Sequence, residues 1–273
     1  MDFYGSHFEY AGELSRKYGL IIACINTQRN ALLTGKSQSV SIFNKRNHVR
    51  YSVGSVYSEA PLTFDMEVIS EDPIDGEWRR KIQKWLFHQR DYQKLYIEDN
   101  EICFGEVFAP VNGYPRRMYL NCRFVNPEII EGNEGIIGYK FSVECDSRMA
   151  WQDPMTVIET FPGGSDFVGG ITVRVDTDSE EYTYPIVTIR TGSTGGEIIL
   201  VNTSDDTNRL TRFNDLAPDA EIVINSAFNY VSGNNYEQFA DRNFPRLIDE
   251  DNNISISGDV ISIEVKWQNM RYL

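Results

Sequence analysis

A single stretch of this chain is patterned as a helix, set among segments patterned as strands and turns. In Asp72–Arg90 (DPIDGEWRRKIQKWLFHQR), Ile74, Trp78, Ile82, Trp85 and Leu86 recur at steps of three and four. That spacing places them on one helical face. Asp72 suits the N-cap and Pro73 the first helical position, where a missing N–H costs nothing. Asp75 and Glu77 favour the positive end of the helix, and His88 and Arg90 its negative end. Such a helix would be roughly 25 Å long, and its two tryptophans are expected to bury on the order of 400 Å² against a sheet. The stretch predicts a core helix closing a β domain.

Strands are expected on both sides of it. Residues 1–19, with Phe3, Tyr4, Phe8, Tyr10 and Tyr18, suit an ordered arm or edge segment, and Leu20–Ile25 a short strand. Asn26–Ser39 looks like a loop. Val40–Phe43 and Val49–Val53 are strand candidates around a basic turn, Lys45, Arg46, Asn47, His48 and Arg50, which suits an exposed hairpin tip better than an anion site. Pro61 opens a period-two strand with Leu62, Phe64, Met66 and Val68 on one side. Tyr92–Ile97 and Ile102–Val111 read as strands. Two alternating strands follow, one showing Met118, Leu120, Cys122 and Phe124, the other Ile137, Tyr139, Phe141, Val143 and Cys145, around a turn near Glu131–Gly138. The first part is therefore expected to be a sheet or barrel of about seven strands with one inserted helix, in the α+β class.

The segment Ser147–Pro154 reads as the join. Beyond it come short strands without a helical pattern: Met155–Phe161, Phe167–Val175, Tyr182–Arg190, Glu197–Asn202, Arg209–Phe213, Glu221–Asn225, Arg246–Ile248, Asn253–Ser257 and Val260–Trp267. In the last, Ile261, Ile263, Val265 and Trp267 are expected inward and Ser262, Glu264 and Lys266 outward, after a tight turn at Ser257–Asp259. This rhythm is that of a β-sandwich, jelly-roll or lectin-like. The whole chain is expected to be mainly β, with domains 1–150 and 151–273.

Charge supports the division. Residues 1–150 carry 20 acidic and 18 basic side chains, whereas residues 151–273 carry 20 and 8, so nearly all of the net −14 sits in the second part. An acidic surface repels nucleic acid, so no sequence-specific DNA binding is expected. No apolar run is long enough to cross a bilayer, and the N-terminus lacks the basic and apolar regions of a signal peptide. Synthesis and folding in a cytoplasm are expected. Cys24, Cys103, Cys122 and Cys145 are widely spaced with no CxxC pair, which suits buried free thiols.

Reactive motifs are sparse. Gly192–Gly196 (GSTGG) resembles a phosphate loop in composition, but it lacks the Lys–Ser/Thr that would reach phosphate and metal, and no helix pattern follows. It reads as a turn joining strands. Asp176–Glu180 and Asp249–Asn253 begin like calcium loops, but neither has glycine at the sixth position, which excludes an EF-hand. The three histidines, His7, His48 and His88, form no metal-ligand pair, and no Gly-x-Ser-x-Gly elbow is present. A glycosidase carboxylate pair is defined by separation in space, so the sequence leaves it open. No catalytic, cofactor-binding or metal-binding residues are expected, and no enzyme activity.

Three blocks carry a family resemblance. The first is Phe8–Leu20 (FEYAGELSRKYGL). The second runs from Glu59–Phe64 (EAPLTF) through Lys84–Leu86 to Tyr92–Asp99 (YQKLYIED). The third runs from Phe244–Leu247 (FPRL) through Asn252–Ile254 and Gly258–Trp267 to Arg271–Leu273. Together they resemble the distal tail protein (Dit) family of siphophages, tail-tip components of long non-contractile tails. The resemblance covers most of residues 1–150 and the last thirty. It implies a β-barrel-like N-terminal domain, ring-forming, and a galectin-like C-terminal β-sandwich. It further implies a homo-hexameric hub joining the tail tube protein to the tail-tip protein and, in some phages, to receptor-binding proteins, with a lumen for DNA. Such a protein would reside in the virion, at the tail tip. The implied galectin-like sugar site is not carried over: residues 151–273 contain no histidine, and their tryptophans are Trp151 at the join and the inward-patterned Trp267. An aromatic platform from Tyr182, Tyr184, Tyr230 or Tyr236 keeps open the alternative of a carbohydrate-binding module.

Overall fold

The structure is a computed structural model that describes residues 7–26, 61–97, 108–111, 114–165, 167–179 and 181–271. The basic turn at Lys45–Arg50, the strand candidates Val40–Phe43 and Val49–Val53, the Asn26–Ser39 loop beyond its first residue, and Cys103 lie outside these residues. The protein is mainly β. The chain divides between Trp151 and Gln152 into two compact units, each with its own apolar core.

The first unit contains β1 (Phe8–Tyr10), β2 (Glu13–Leu14), β3 (Leu20–Asn26), β4 (Thr63–Ser70), the helix α1 (Gly76–Phe87), β5 (Gln93–Ile97), β6 (Phe108–Val111), β7 (Tyr114–Arg116), β8 (Met118–Gly132) and β9 (Gly135–Cys145). Seven of these strands form one antiparallel sheet in the order β2-β1-β5-β8-β9-β4-β3. Laid flat, its two edges would stand about 29 Å apart, at about 4.8 Å per strand. Yet the edge strands are chain neighbours, joined by a 3-10 turn at Ser15–Tyr18 and by Gly19 in the left-handed conformation. Six residues fully extended reach only about 20 Å, and a 3-10 turn much less. The sheet must therefore curl until its edges approach, which makes it barrel-like. Its concave face holds the alternating residues expected to be inward: Phe64, Met66 and Val68 from β4, Leu120, Cys122 and Phe124 from β8, and Tyr139, Phe141 and Val143 from β9.

The helix closes this core but starts later than the sequence suggests. Its N-cap is Asp75, whose carboxylate accepts the Trp78 N–H at 2.8 Å. Asp72 and Pro73 stay outside because the Ile74 N–H donates at 2.7 Å to the Ile136 carbonyl. That bond ties the approach segment to β9 as an extended chain. The helix also ends at Phe87, short of Arg90. Of the two tryptophans only Trp85 is buried. It stacks on Phe8 and Tyr18, with centroids at 5.6 and 4.6 Å, and its indole N–H donates to the Tyr10 carbonyl at 2.8 Å. Trp78 is 40% exposed, two helical turns nearer the N-terminus, edge-on to Tyr18.

β10 (Ala150–Gln152) carries the chain into the second unit. There follow β11 (Met155–Thr160), β12 (Val168–Val175), β13 (Ile186–Thr191), β14 (Gly196–Asn202), β15 (Leu210–Leu216), β16 (Glu221–Asn225), β17 (Tyr230–Val231), β18 (Glu250–Ser257), β19 (Val260–Trp267) and β20 (Met270–Arg271). Two antiparallel sheets, β11-β19-β13-β16-β17 and β12-β18-β14-β15, face one another as a sandwich. Three expectations change here. Ile261 faces out, 39% exposed, and Val260 takes the inner position. A bulge causes this: Arg190 pairs with Ser262 but Thr191 pairs with Val260, leaving Ile261 without an opposite residue on β13. Arg246–Ile248 is not a strand but an isolated bridge between Leu247 and Thr183. The run from Tyr182 becomes regular only at Ile186, after Pro185, which has no N–H for a ladder.

Candidate functional site

The glycine-rich loop at Gly192–Gly196 does wrap an anion, and the anion belongs to the protein. The carboxylate of Asp259, in the β18–β19 turn, accepts the N–H groups of Gly164 at 2.7 Å, Thr194 at 2.7 Å and Gly195 at 3.0 Å, and also the Thr194 hydroxyl. The Asp259 carbonyl accepts the Gly192 N–H at 2.8 Å. Glycine is required at 192 because a Cβ there would sit 2.2 Å from the Asp259 carboxylate. These donors, led by the Thr194 hydroxyl and the Gly164 amide, hold the Asp259 carboxyl down at a pKa of about 2. The arrangement has the geometry of an anion nest but is filled by a side chain that pins three loops together. It leaves no room for a phosphate.

A second polar cluster lies at one end of the sandwich. Arg246 donates through Nε to Asp205 at 2.7 Å and through a terminal nitrogen to the Thr207 hydroxyl at 2.9 Å. Its guanidinium lies 3.8 Å from the centroid of Tyr182. Asp205 is buried, and the Arg246 hydrogen bond depresses its carboxyl pKa. Behind the pair, the buried Asn252 accepts from Asn202 at 2.8 Å and from the Ile248 N–H at 2.8 Å, and donates to the Ile248 and Glu250 carbonyls. A cavity of about 20 Å³ opens beside the cluster, lined by Asn202, Asp205, Thr211, Phe244 and Arg246. That is room for one water molecule, too small for a sugar ring. The cluster locks the segment carrying Phe244–Leu247 onto the sandwich.

The other candidates are placed as follows. Asp176 and Asp178, from the first calcium-like run, form ion pairs with Arg271. Asp249, from the second, accepts the Thr177 N–H at 3.1 Å. No group of three metal-ligating side chains occurs among the described residues. Tyr182 lies under Arg246. Tyr184, Tyr230 and Tyr236 are all exposed, and Tyr236 lies 5.2 Å from Arg242. No ring contact among the described residues joins any two of these four tyrosines. Cys122 and Cys145 are buried free thiols directly opposite one another on β8 and β9, and Cys24 is half-buried. Sequence reasoning missed Asp259 and Asp205. Asp259 sits in a turn where an aspartate is unremarked, and its loop partners lie 64 to 95 residues away.

The fold is thus a curled sheet with one helix, followed by a two-sheet sandwich, antiparallel in every described pair. Two family models match it: a phage tail protein N-terminal domain over residues 3–147, and a phage tail C-terminal domain over residues 168–267. The chain belongs to this phage tail protein family. Among solved structures it is similar to the Dit protein of phage SPP1, described as a hub of the adsorption apparatus in phages infecting Gram-positive bacteria, at 9% identity and a TM-score of 0.62. That match covers 96% of this chain and 98% of the other. It is also similar to chains of the phage p2 baseplate in its activated conformation. The strontium form matches at 9% identity and a TM-score of 0.51, covering 97% and 98%, and the calcium form at 8% and 0.52, covering 98% of each. At these identities the likeness is one of fold. No curated protein matches the sequence. Among the described residues, no helix is long and apolar enough to cross a membrane.

Proposed function

We propose that this protein is a structural component of the phage tail tip, a hub ring of six copies with no reaction of its own. In this reading residues 1–150 form the ring and residues 151–273, a galectin-like sandwich, project from it. The ring joins the tail tube protein to the tail-tip protein and offers a periphery for receptor-binding proteins, while DNA passes through the lumen. The protein is made in the host cytoplasm and resides in the virion. One observation carries the reading: both units match phage tail family models in order, and their combined fold aligns with SPP1 Dit over 96% of this chain. Chemistry is consistent with it, because the two buried carboxylates among the described residues, Asp205 and Asp259, are each engaged in internal hydrogen bonds.

Light scattering on a sizing column, with negative-stain images of the peak, tests the hub. The expected result is a mass near six chains and end-on views of an open ring. A monomer that bound cell-wall glycan, with binding lost on Tyr230→Ala or Tyr184→Ala, would replace it with the carbohydrate-binding reading. The exposure of Tyr230 (55%) and Tyr184 (49%) is the observation favouring that alternative.

A further inference from the structure

The two sides of the C-terminal sandwich are finished differently. On one side, β17 is only two residues long, and β15 is covered by Gln238–Ala240. The Asn214 N–H donates to the Gln238 carbonyl at 2.8 Å, the Ala240 N–H donates to the Arg212 carbonyl at 2.9 Å, and Phe239 stacks on Phe213. On the other side, β12 runs eight residues in unbroken register with β18 and pairs with no other described strand. Natural edges are normally blunted by lysine, proline, a bulge or brevity. Val168–Val175 has none of these, its one charged residue is Arg174 near its end, and Val168 is 70% exposed.

The ladder parity shows which groups are free for pairing. The Gly258 N–H donates to the Phe167 carbonyl at 3.0 Å, so Phe167 and Gly258 form a hydrogen-bonded pair. Alternation along an antiparallel ladder then turns the N–H and C=O of Val168, Gly170, Thr172 and Arg174 away from β18. We propose that β12 is a docking edge on which an extended, basic segment of another protein adds as a fifth strand of the β12-β18-β14-β15 sheet.

Charge selects the occupant. The second part of the chain, residues 151–273, carries 20 acidic and 8 basic side chains; of the acidic residues flanking β12, Asp176 and Asp178 are paired with Arg271. Glu159 and Glu181 are exposed, and Arg174 lies directly opposite Asp251 on β18. A segment bearing lysine or arginine is attracted to this edge and an acidic one repelled. A second copy is disfavoured, because pairing β12 with β12 would bring together two sandwiches of net −12 each. Side-chain alternation sets the pattern of the segment. Ile171, Val173 and Val175 face the core, so apolar residues at every second position would extend that layer while the basic ones face water.

The test uses the full chain and two capped eight-residue peptides, one alternating valine with lysine and one alternating valine with glutamate. Fluorescence anisotropy should show binding of the lysine peptide only, weakened at least about tenfold between 50 and 500 mM salt. Amide exchange should slow at Val168, Gly170, Thr172 and Arg174. Thr172→Pro removes an outward N–H without breaking the β18 ladder and should abolish binding with an unchanged circular dichroism spectrum. Should that variant misfold, Val168→Lys with Thr172→Lys keeps strand-compatible residues and should weaken lysine-peptide binding at least about tenfold. The proposal is overturned if neither peptide slows exchange in β12, or if the glutamate peptide binds equally well. It is also overturned in favour of a second copy if the same amides are protected without peptide in a concentration-dependent way. None of these outcomes depends on whether the ring forms.

Discussion

Asp259 and Thr194 are held together twice: the carboxylate accepts both the N–H of Thr194, at 2.7 Å, and its hydroxyl. The Asp259 residue is only 3% exposed and its carboxyl pKa is depressed from 3.8 to about 2. A group depressed in the folded state adds stability above its unfolded pKa, near 3.9, and loses it as pH falls through about 2. A shift of this size corresponds to about 2 kcal/mol at neutral pH. Asp259→Asn should therefore lower the stability of the second unit by about 2 kcal/mol at pH 7 and by little at pH 2. Urea unfolding of both proteins at several pH values measures this, and a pH-independent difference would show that the carboxylate charge is not what the loops hold.

The Asp205–Arg246 pair predicts a strongly non-additive cycle. Both side chains are largely buried, 5% and 15% exposed, so removing one leaves the other charge without its partner. Arg246→Ala should cost about 3 kcal/mol or more. The double variant with Asp205→Ala should cost much less than the sum of the singles, as a double-mutant cycle in urea would read.

At the helix start, the two aspartates three residues apart should differ. Asp75 caps the Trp78 N–H, and Asp72 lies outside the helix. Asp75→Ala should destabilise the first unit by about 1 kcal/mol, and Asp72→Ala by no more than a few tenths. Thermal denaturation followed by helical circular dichroism compares them. Equal losses would restore Asp72 as the cap.

This pair of residues also shows what the sequence could reveal. Period-two alternation placed Phe64, Met66, Val68, Leu120, Cys122 and Phe124 inward, because side-chain direction in a strand is set locally. The helical face of Ile82, Trp85 and Leu86 was legible for the same reason. The helix boundary was not: Asp72-Pro73 and Asp75 are both good starts, and a tertiary bond from Ile74 to Ile136 decides between them. Ile261 failed similarly, since a bulge is set by the neighbouring strand. Asp259 is the clearest case. Its neighbours are ordinary turn residues, and its role exists only once loops from Gly164 and Thr194 converge on it.

Trp85 is expected to be the energetic centre of the first unit. It is 5% exposed, stacks with Phe8 and Tyr18, and donates to the Tyr10 carbonyl. Trp85→Ala should cost about 3–5 kcal/mol, and Trp78→Ala, at a 40% exposed position, much less. Differential scanning calorimetry should show the first unit's transition shifted by Trp85→Ala, with the second unit's unfolding enthalpy retained.

Gly138 tests how tightly β9 is laid against β4. A Cβ at this position would stand 2.1 Å from the Val68 carbonyl oxygen and 3.0 Å from the Ile69 Cα, both of them backbone atoms that cannot rotate away. The register places Gly138 opposite Ile69, at the end of a run of seven consecutive pairs from Thr63 to Ile69. Gly138→Ala must therefore separate the strands locally or strain the backbone, at a cost of more than about 2 kcal/mol, beyond the usual surface substitution. Amide exchange on β4 and β9 separates the possibilities. Faster exchange confined to Val68–Ser70 would mean a local parting of the sheet end. Faster exchange along all of β4 would mean that this contact fixes the register of the whole pair. Unchanged exchange with unchanged stability would mean that the strands pack less closely here than the backbone geometry requires.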